Sequence, residues 1–126
     1  MDDISLEIDP VEIRPNAEIR GVITVSYPGK YDGVVVSAQI SDSNEHITYK
    51  SSNGRPISQN VARLFISRDT MKEGGRTAEF TAAIGFEPES EHEVKFRASA
   101  IEQHKEIDSC IVFARYAAAA AAAAED

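Results

Sequence analysis

The sequence predicts an all-β protein, an antiparallel two-sheet β-sandwich of about 7–9 strands. The first observation is a period-two alternation of apolar and polar residues that recurs along most of the chain. Because successive side chains of a strand point to opposite faces, this alternation buries one face and leaves the other in water. The second observation is the spacing of turn signals, which separate these segments at intervals of roughly 8–15 residues, as in a sandwich.

The clearest predicted strand covers residues 17–27 and follows a turn at Pro15 and Asn16. Its buried face carries Ile19, Gly21, Ile23, Val25 and Tyr27, and its polar face carries Arg20, Thr24 and Ser26, with Val22 as the one apolar exception. An earlier short strand covers residues 4–8 and ends at Pro10. Since proline cannot donate to a ladder, we expect an edge segment with a kink that lets the chain switch sheets there.

The same alternation predicts the remaining strands. They cover residues 34–40, 47–49, 61–67, 78–86, 94–100 and 107–116. The strongest turn signal between them is Asn53-Gly54. Residues 61–67 are apolar on both faces apart from Arg63, so their register stays open. Residues 107–116 are nearly continuous in apolar side chains, which predicts a strand that is covered on both sides.

A chain of 126 residues is long enough for one domain with one core. We assign residues 1–116 to a single β-sandwich domain and residues 117–126 to a tail in which an alanine run precedes Glu125 and Asp126. So short a run does not form a stable isolated helix. The tail is an expression scar, a placeholder for unidentified residues or a genuine tail, and it takes no part in the fold prediction.

Charge and cysteine content exclude several classes of protein. The net charge is −8 with Lys and Arg scattered singly, so we expect no nucleic-acid partner and no anionic membrane surface. No apolar run in residues 1–116 could span a bilayer, so we expect no membrane insertion. Cys110 is the only cysteine and cannot form an internal disulfide, and the N-terminus shows no secretory leader pattern. These features predict a cytoplasmic protein.

The run from Ile13 to Val25 reads Ile-Arg-Pro-Asn-Ala-Glu-Ile-Arg-Gly-Val-Ile-Thr-Val. It resembles the opening of arrestin-like β-sandwich lobes, where Pro-Gly-Glu-x-Ile-x-Gly-x-Val precedes alternating apolar residues. The matching residues, with one residue near 16–17 treated as inserted, are Pro15, Glu18, Ile19, Gly21 and Ile23. The resemblance covers residues 10–42, and similar runs occur in other immunoglobulin-like domains. It implies an immunoglobulin-like or arrestin-like sandwich with a scaffold or adaptor role and no catalytic residues.

An acidic cluster around His92 is the candidate site for a metal ion. Its candidate ligands are Glu89, Glu91 and His92, since crowded carboxylates can bind a hard cation. Calcium loops use Asp, Asn and Gly at fixed offsets, so we favour a solvated acidic turn and predict no metal and no cofactor. Cys110 lies mid-strand beside Ile111, where we expect a small buried hydrophobe rather than a nucleophile.

The function that these observations favour is a noncatalytic protein-interaction or scaffold module, not an enzyme, with a protein partner or a second copy as its ligand. Val22 and Val35 are apolar residues on otherwise polar faces, and we expect adjacent strands to bring them together as a contact patch. The alternative for both valines is ordinary scattered surface residues. Two other functions stay open: a metal-binding or enzymatic domain that uses the loop around His92, and one domain of a larger surface or secretion assembly.

Overall fold

Two five-stranded sheets face each other in residues 3–117, the part of the chain that the computed structural model describes. The strands are β1 (Ile4–Asp9), β2 (Glu12–Ile13), β3 (Ile19–Val25), β4 (Gly33–Ile40), β5 (Thr48–Ser52), β6 (Arg55–Asn60), β7 (Arg63–Ser67), β8 (Thr77–Ala83), β9 (His92–Glu102) and β10 (Lys105–Tyr116). A 3-10 helix at Arg68–Thr70 follows β7, and no helix in this part of the chain could cross a bilayer. The predicted tail, from residue 118 onward, lies outside the described residues, and the domain boundary stays a prediction.

The strand order confirms the predicted fold class. Sheet A has the order β1-β3-β8-β5-β6, and sheet B has the order β2-β10-β9-β4-β7. All paired strands run antiparallel except β2 and β10, which run parallel. The described residues therefore form an antiparallel two-sheet β-sandwich.

The chain changes sheets at Pro10, as the sequence predicts. Strand β1 pairs with β3 in sheet A, and β2 pairs with β10 in sheet B. Pro10 lies between the two strands and belongs to neither. The switch leaves β1 and β2 at the edges of their sheets on the same side of the sandwich.

The described residues contain ten strands, slightly more than the predicted 7–9. Strand β2 is only two residues long, and β6 has no buried face, because its side chains are exposed apart from a half-buried Ile57. Neither strand can produce an alternation that is visible in the sequence. The hairpin into β6 uses Asn53 and Gly54, whose φ angles of 51° and 82° give the primed turn that an Asn-Gly pair favours.

The core lies between the sheets and consists of the inward-facing side chains of both. On β9 these are Val94, Phe96, Ala98 and Ala100, each 0% exposed. The largest of the fully buried side chains are Tyr49, Tyr116, Phe80 and Phe96. Tyr49 and Phe80 of sheet A meet edge to face with 5.7 Å between their ring centroids. Burial raises the pKa of the Tyr49 hydroxyl, so it stays neutral in the core.

A second buried tyrosine ties the two sheets together. Tyr116, at the end of β10 in sheet B, donates its hydroxyl to the carbonyl oxygens of Phe86 and Ile84, which follow β8 of sheet A. The rings of Tyr116 and Phe86 also meet edge to face at 5.2 Å. Burial raises the pKa of the Tyr116 hydroxyl, which keeps the donor proton in place.

Replacing Gly21 with alanine should destabilise the sandwich by about 3 kcal/mol, because a well-packed core has no room for an added methyl group. Gly21 on β3 pairs with Phe80 on β8, and a Cβ at residue 21 would lie 2.2 Å from two atoms of the Phe80 ring. The measurement is the free energy of unfolding in urea. Gly85→Ala is the matched control: its Cβ would meet only Asn16 Oδ1, at 3.6 Å, so we expect a change below about 1 kcal/mol. Equal losses for the two variants would contradict the packing argument.

Candidate functional site

The outer surface of sheet B exposes large apolar side chains. Phe65 on β7 is 53% exposed, and Ile111 and Phe113 on β10 are 46% and 55% exposed. Val35 on β4 pairs with Phe65 and shares its face. With the basic residues between them, these side chains define a surface that we call the B face: Val35, Arg63, Phe65, Lys95, Arg97, Ile111 and Phe113.

The prediction that residues 107–116 form a strand covered on both sides is wrong. Strand β10 buries the inner side of its second half, where Ala114 and Tyr116 are 3% and 0% exposed. Its outer side chains Ile111 and Phe113 remain about half in water among the described residues. A run of apolar residues shows that both sides of a strand can be buried. It cannot show whether the fold contains a layer that covers the outer side. The sandwich of residues 3–117 supplies one covering sheet and no more.

Cross-strand register places basic residues between the apolar ones. Arg97 on β9 pairs with Ile111 on β10, and Lys95 pairs with Phe113. Arg63 lies on the far edge strand, β7, two strands away from β9. Neighbouring strands lie about 4.8 Å apart, so β10 and β7 are separated by roughly 14 Å. The basic side chains of β9 lie between the apolar side chains of these two strands.

Arg97 is held in place by a polar network on the B face. Its guanidinium donates to Ser99 Oγ at 2.9 Å and to Ser109 Oγ at 3.1 Å, and lies 2.5 Å from Glu106 Oε1. The Ser99 hydroxyl in turn donates to Glu106 at 2.9 Å. The Ser99 hydroxyl, and after it the Arg97 guanidinium, holds the pKa of Glu106 below its usual range. The network therefore fixes the Arg97 side chain at the centre of the face.

Two basic residues of the B face have no acidic partner among the described residues. Arg97 pairs with Glu106, and Arg115, at the end of β10, pairs with Glu12. Arg63 and Lys95 lie within ion-pair distance of no carboxylate in residues 3–117. The B face thus carries two basic side chains without ion pairs beside exposed apolar side chains, with Glu93 exposed on the same side of β9, on a chain whose net charge is −8.

Val22 and Val35 do not form one patch, so the expectation that they lie together is wrong. Val22 is on β3 of sheet A, between Glu7 and Glu79, whereas Val35 is on β4 of sheet B. Strands β3 and β4 follow each other in the chain, but the connection between them crosses from one sheet to the other. Both valines are half-buried. Only Val35 belongs to the B face, and a contact role for either residue stays a prediction.

The metal-site candidates Glu89, Glu91 and His92 are not gathered around one point. His92 Nδ1 lies 2.7 Å from the carbonyl oxygen of Ser41, and the His92 ring meets Phe86 edge to face. A Glu91 carboxylate oxygen lies 3.9 Å from Arg115, and Glu89 is exposed. In residues 3–117 no three His, Cys, Asp or Glu side chains are placed to share a metal ion. The contacts that His92 makes with Ser41 and Phe86 hold this loop against the sandwich.

Cys110 faces the interior from β10. It pairs with Ala98 of β9 and is half-buried. Its side chain packs against the core beside Val112. This position suits the small hydrophobe that the sequence predicts.

The B face was not predicted from the sequence, although the sequence contains a pattern that points to it. Both 61–67 and 107–116 lack a polar face, and they supply Phe65, Ile111 and Phe113. Two segments without a polar side indicate either buried strands or a shared apolar surface. Only the sheet order shows that both segments lie in sheet B with their outer sides in water.

Comparison with solved structures places the fold among known β-sandwiches. The adhesin CfaE of CFA/I enterotoxigenic E. coli, in a mutant form, has a TM-score of 0.59 at 9% identity; the match covers 92% of this chain and 48% of that one. AvmM, which catalyses macrocyclization in alchivemycin A biosynthesis, has a TM-score of 0.54 at 14% identity; the match covers 93% of this chain and 90% of that one. A human F-spondin reeler domain has 0.52 at 10% identity, covering 92% and 87%. No family model and no curated protein matches the chain.

These likenesses show an immunoglobulin-like β-sandwich. The finer resemblance to arrestin-like lobes stays a prediction, as does the cytoplasmic location. The chain spans about half of the adhesin, 48% of its length. Because one neighbour is an adhesin and another a catalyst, the shared fold does not decide the function.

The Ser99 hydroxyl should lower the pKa of Glu106 in solution, so Ser99→Ala should raise the Glu106 pKa towards its usual value. A carboxyl whose folded pKa is lowered stabilises the fold above its unfolded pKa of about 4.3 and loses that contribution as pH falls through the folded pKa. The Ser99→Ala variant should therefore lose less stability on acidification than the parent chain. The measurement is a carboxyl carbon NMR titration of Glu106, with unfolding followed at each pH. Ser37→Ala, on the neighbouring β4, should leave the Glu106 midpoint unchanged; an unchanged midpoint in Ser99→Ala would contradict the assigned cause.

Proposed function

We propose that this chain is a noncatalytic protein-interaction module that docks a partner protein on the B face. The main support for the proposal comes from strand β10. Its apolar run is covered on the inner side of the sheet and exposed to solvent on the outer side. Exposed apolar side chains scattered singly are normal, whereas several on one side of one sheet, interleaved with polar residues, suit an interaction surface. On the B face Ile111, Phe113, Val35 and Phe65 lie in one sheet around a fixed arginine.

The apolar side chains of the B face supply most of the binding energy in this proposal. Full burial of a Phe or Ile side chain is worth about 1.5–3 kcal/mol. Phe65, Ile111 and Phe113 keep about half of their surface in water, so a partner can still remove that half. Aromatic and arginine side chains dominate protein interfaces when they lie near the centre of the contact. Arg97 lies near the centre of the B face. Because its hydrogen bonds to Ser99 and Ser109 already fix the side chain, Arg97 loses little conformational entropy on binding.

The charge of the B face selects an acidic partner surface. Arg63 and Lys95 lack acidic partners in the described residues, so carboxylates of another protein can pair with them. Such pairs steer association and reject basic partners more than they add affinity. The partner of the proposal is therefore a protein surface that carries both apolar side chains and carboxylates.

A second candidate is a domain of a larger surface or secretion assembly. The likeness to an adhesin chain about twice as long, of which this chain covers 48%, favours it. In that setting the B face would contact a neighbouring domain of the assembly instead of a separate partner. The enzymatic alternative at the loop around His92 gains no support from the positions of Glu89 and Glu91.

A photoreactive phenylalanine analogue in place of Phe65 should cross-link a partner protein in extracts of the native cells. Phe65 suits the test because it lies on β7, at the opposite edge of sheet B from β10. Adding Arg63→Glu, two residues away on the same strand, should lower the yield about fivefold, as expected for the loss of an ion pair and the gain of a repulsion. Mass spectrometry of the cross-linked peptide identifies the partner and its charge.

The matched control carries the same analogue at Ser5, an exposed position on the outer surface of sheet A. The proposal requires a cross-link at residue 65 and none to the same protein at residue 5. Equal yields at the two positions, or a yield that Arg63→Glu leaves unchanged, would contradict docking on the B face.

A further inference from the structure

The outer edge of β10 is mostly without a partner strand. Strand β2 pairs with β10 only at Arg115 and Tyr116. The backbone N–H of Arg115 donates to the carbonyl oxygen of Val11, so it points away from β9. Because the direction alternates along a strand, the N–H and C=O groups of Phe113 and Ile111 point the same way. In residues 3–117 no strand is hydrogen-bonded to them there, although β1 of sheet A packs against β10.

Exposed apolar side chains concentrate along this same edge. Three of the four large hydrophobic residues exposed in the described part of the chain are Val11, Ile111 and Phe113. On the inner side of β10, Val112 is also only half-buried, whereas the inner residues of β9 are fully buried. The sandwich is thus least well covered at an edge whose backbone can still hydrogen-bond. Such an edge is a template for strand addition.

We propose that a second copy of this chain adds its own β10 to this edge, antiparallel and centred on Ile111. The side chains are self-complementary in that register: Ile111 lies beside Ile111 of the second copy, and the large Phe113 lies beside the small Ser109. On the inner side, Val112 lies beside Cys110. The result is one continuous sheet made from two copies of sheet B.

The backbone groups match the same register. The N–H and C=O groups of Ile111 bond to those of Ile111 in the second copy, and the N–H of Phe113 donates to the C=O of Ser109. The Ser109 N–H needs no partner in the dimer, because it already donates to Asp108 Oδ1 at 2.9 Å. Paired residues that exchange backbone hydrogen bonds in this way are the unit of an antiparallel ladder.

Charge along the edge favours a second copy in the antiparallel direction. One end of the edge carries Glu106 and Asp108 and the other carries Arg115, whose side chain is 58% exposed. An antiparallel copy sets Arg115 of each strand towards Asp108 of the other, whereas a parallel copy would set Asp108 beside Asp108. Because Arg115 already pairs with Glu12 and lies 3.9 Å from Glu91, this contribution is small. The residues between, Ser109 to Phe113, are uncharged. The net charge of −8 on each copy opposes association at long range, so added salt should strengthen the dimer.

This inference goes beyond the proposed function, because it uses the edge of β10 and not the surface of the sheet. Strand pairing in the plane leaves the outer sides of Phe65, Arg63 and Lys95 open. The dimer therefore presents two B faces side by side, and a partner with two matching sites would gain from binding both.

Charge substitutions at Ile111 test the register directly. Ile111→Lys alone, or Ile111→Glu alone, places like charges opposite each other at the two-fold axis, so each variant should be monomeric where the parent chain is dimeric. An equimolar mixture of the two variants should dimerise again, because the opposite charges then face each other. Sedimentation equilibrium over a range of protein and salt concentrations measures all three, with the unfolding midpoint of each variant confirming an intact fold. We expect at least about a tenfold weaker self-association for each single variant, equivalent to about 1.4 kcal/mol.

The matched control is the same pair of substitutions at Phe65, which is similarly exposed but lies on the opposite edge strand. Phe65→Lys and Phe65→Glu should leave the dimer intact. A parent chain that stays monomeric at every concentration and salt overturns the inference. So does a dimer that survives Ile111→Lys, or a mixture of the two Ile111 variants that stays monomeric. These outcomes concern the edge alone and leave docking on the B face to its own test.

Discussion

The fold depends on burying one side of every long strand between only two sheets. Gly21 on β3 leaves room for the large ring of Phe80, which meets Tyr49 edge to face in the core. Tyr116 then joins the sheets, since its ring and hydroxyl contact the segment that follows β8. With two layers, each sheet has one side that nothing further covers.

Alternation in the sequence predicts a strand wherever one side is buried and the other is wet. It identified β3, β4, β8 and β9, and Pro10 indicated the change of sheet between β1 and β2. It could not identify β6, whose side chains have no buried side. It also could not pair strands across space. Val22 and Val35 point outward as expected, but they do so from different sheets, because sequence order does not determine sheet membership.

The same limit explains why the candidate site was found only in part. Val35 was recognised as an apolar residue on a polar side, and it belongs to the B face. Phe65, Ile111 and Phe113 were assigned to segments without a polar side, where burial is the simpler explanation. Their exposure depends on the position of β7 and β10 in sheet B, whose outer side is covered by no further layer in the described residues. That position arises from long-range pairing, which no local pattern encodes.

Strand β10 can serve two contacts because, apart from the shared side chain of Ile111, they use different atoms. Docking on the B face uses the outward side chains of the sheet, whereas pairing at the edge uses backbone groups that lie in its plane. A protein that exposes both risks unlimited strand addition. Here β2 occupies the end of the edge at Arg115 and Tyr116, and the irregular pairing between Glu106 and Asp108 interrupts the other end. The free length between them suits one short strand, and an antiparallel copy uses up the edge of both partners, so assembly by this edge closes at two.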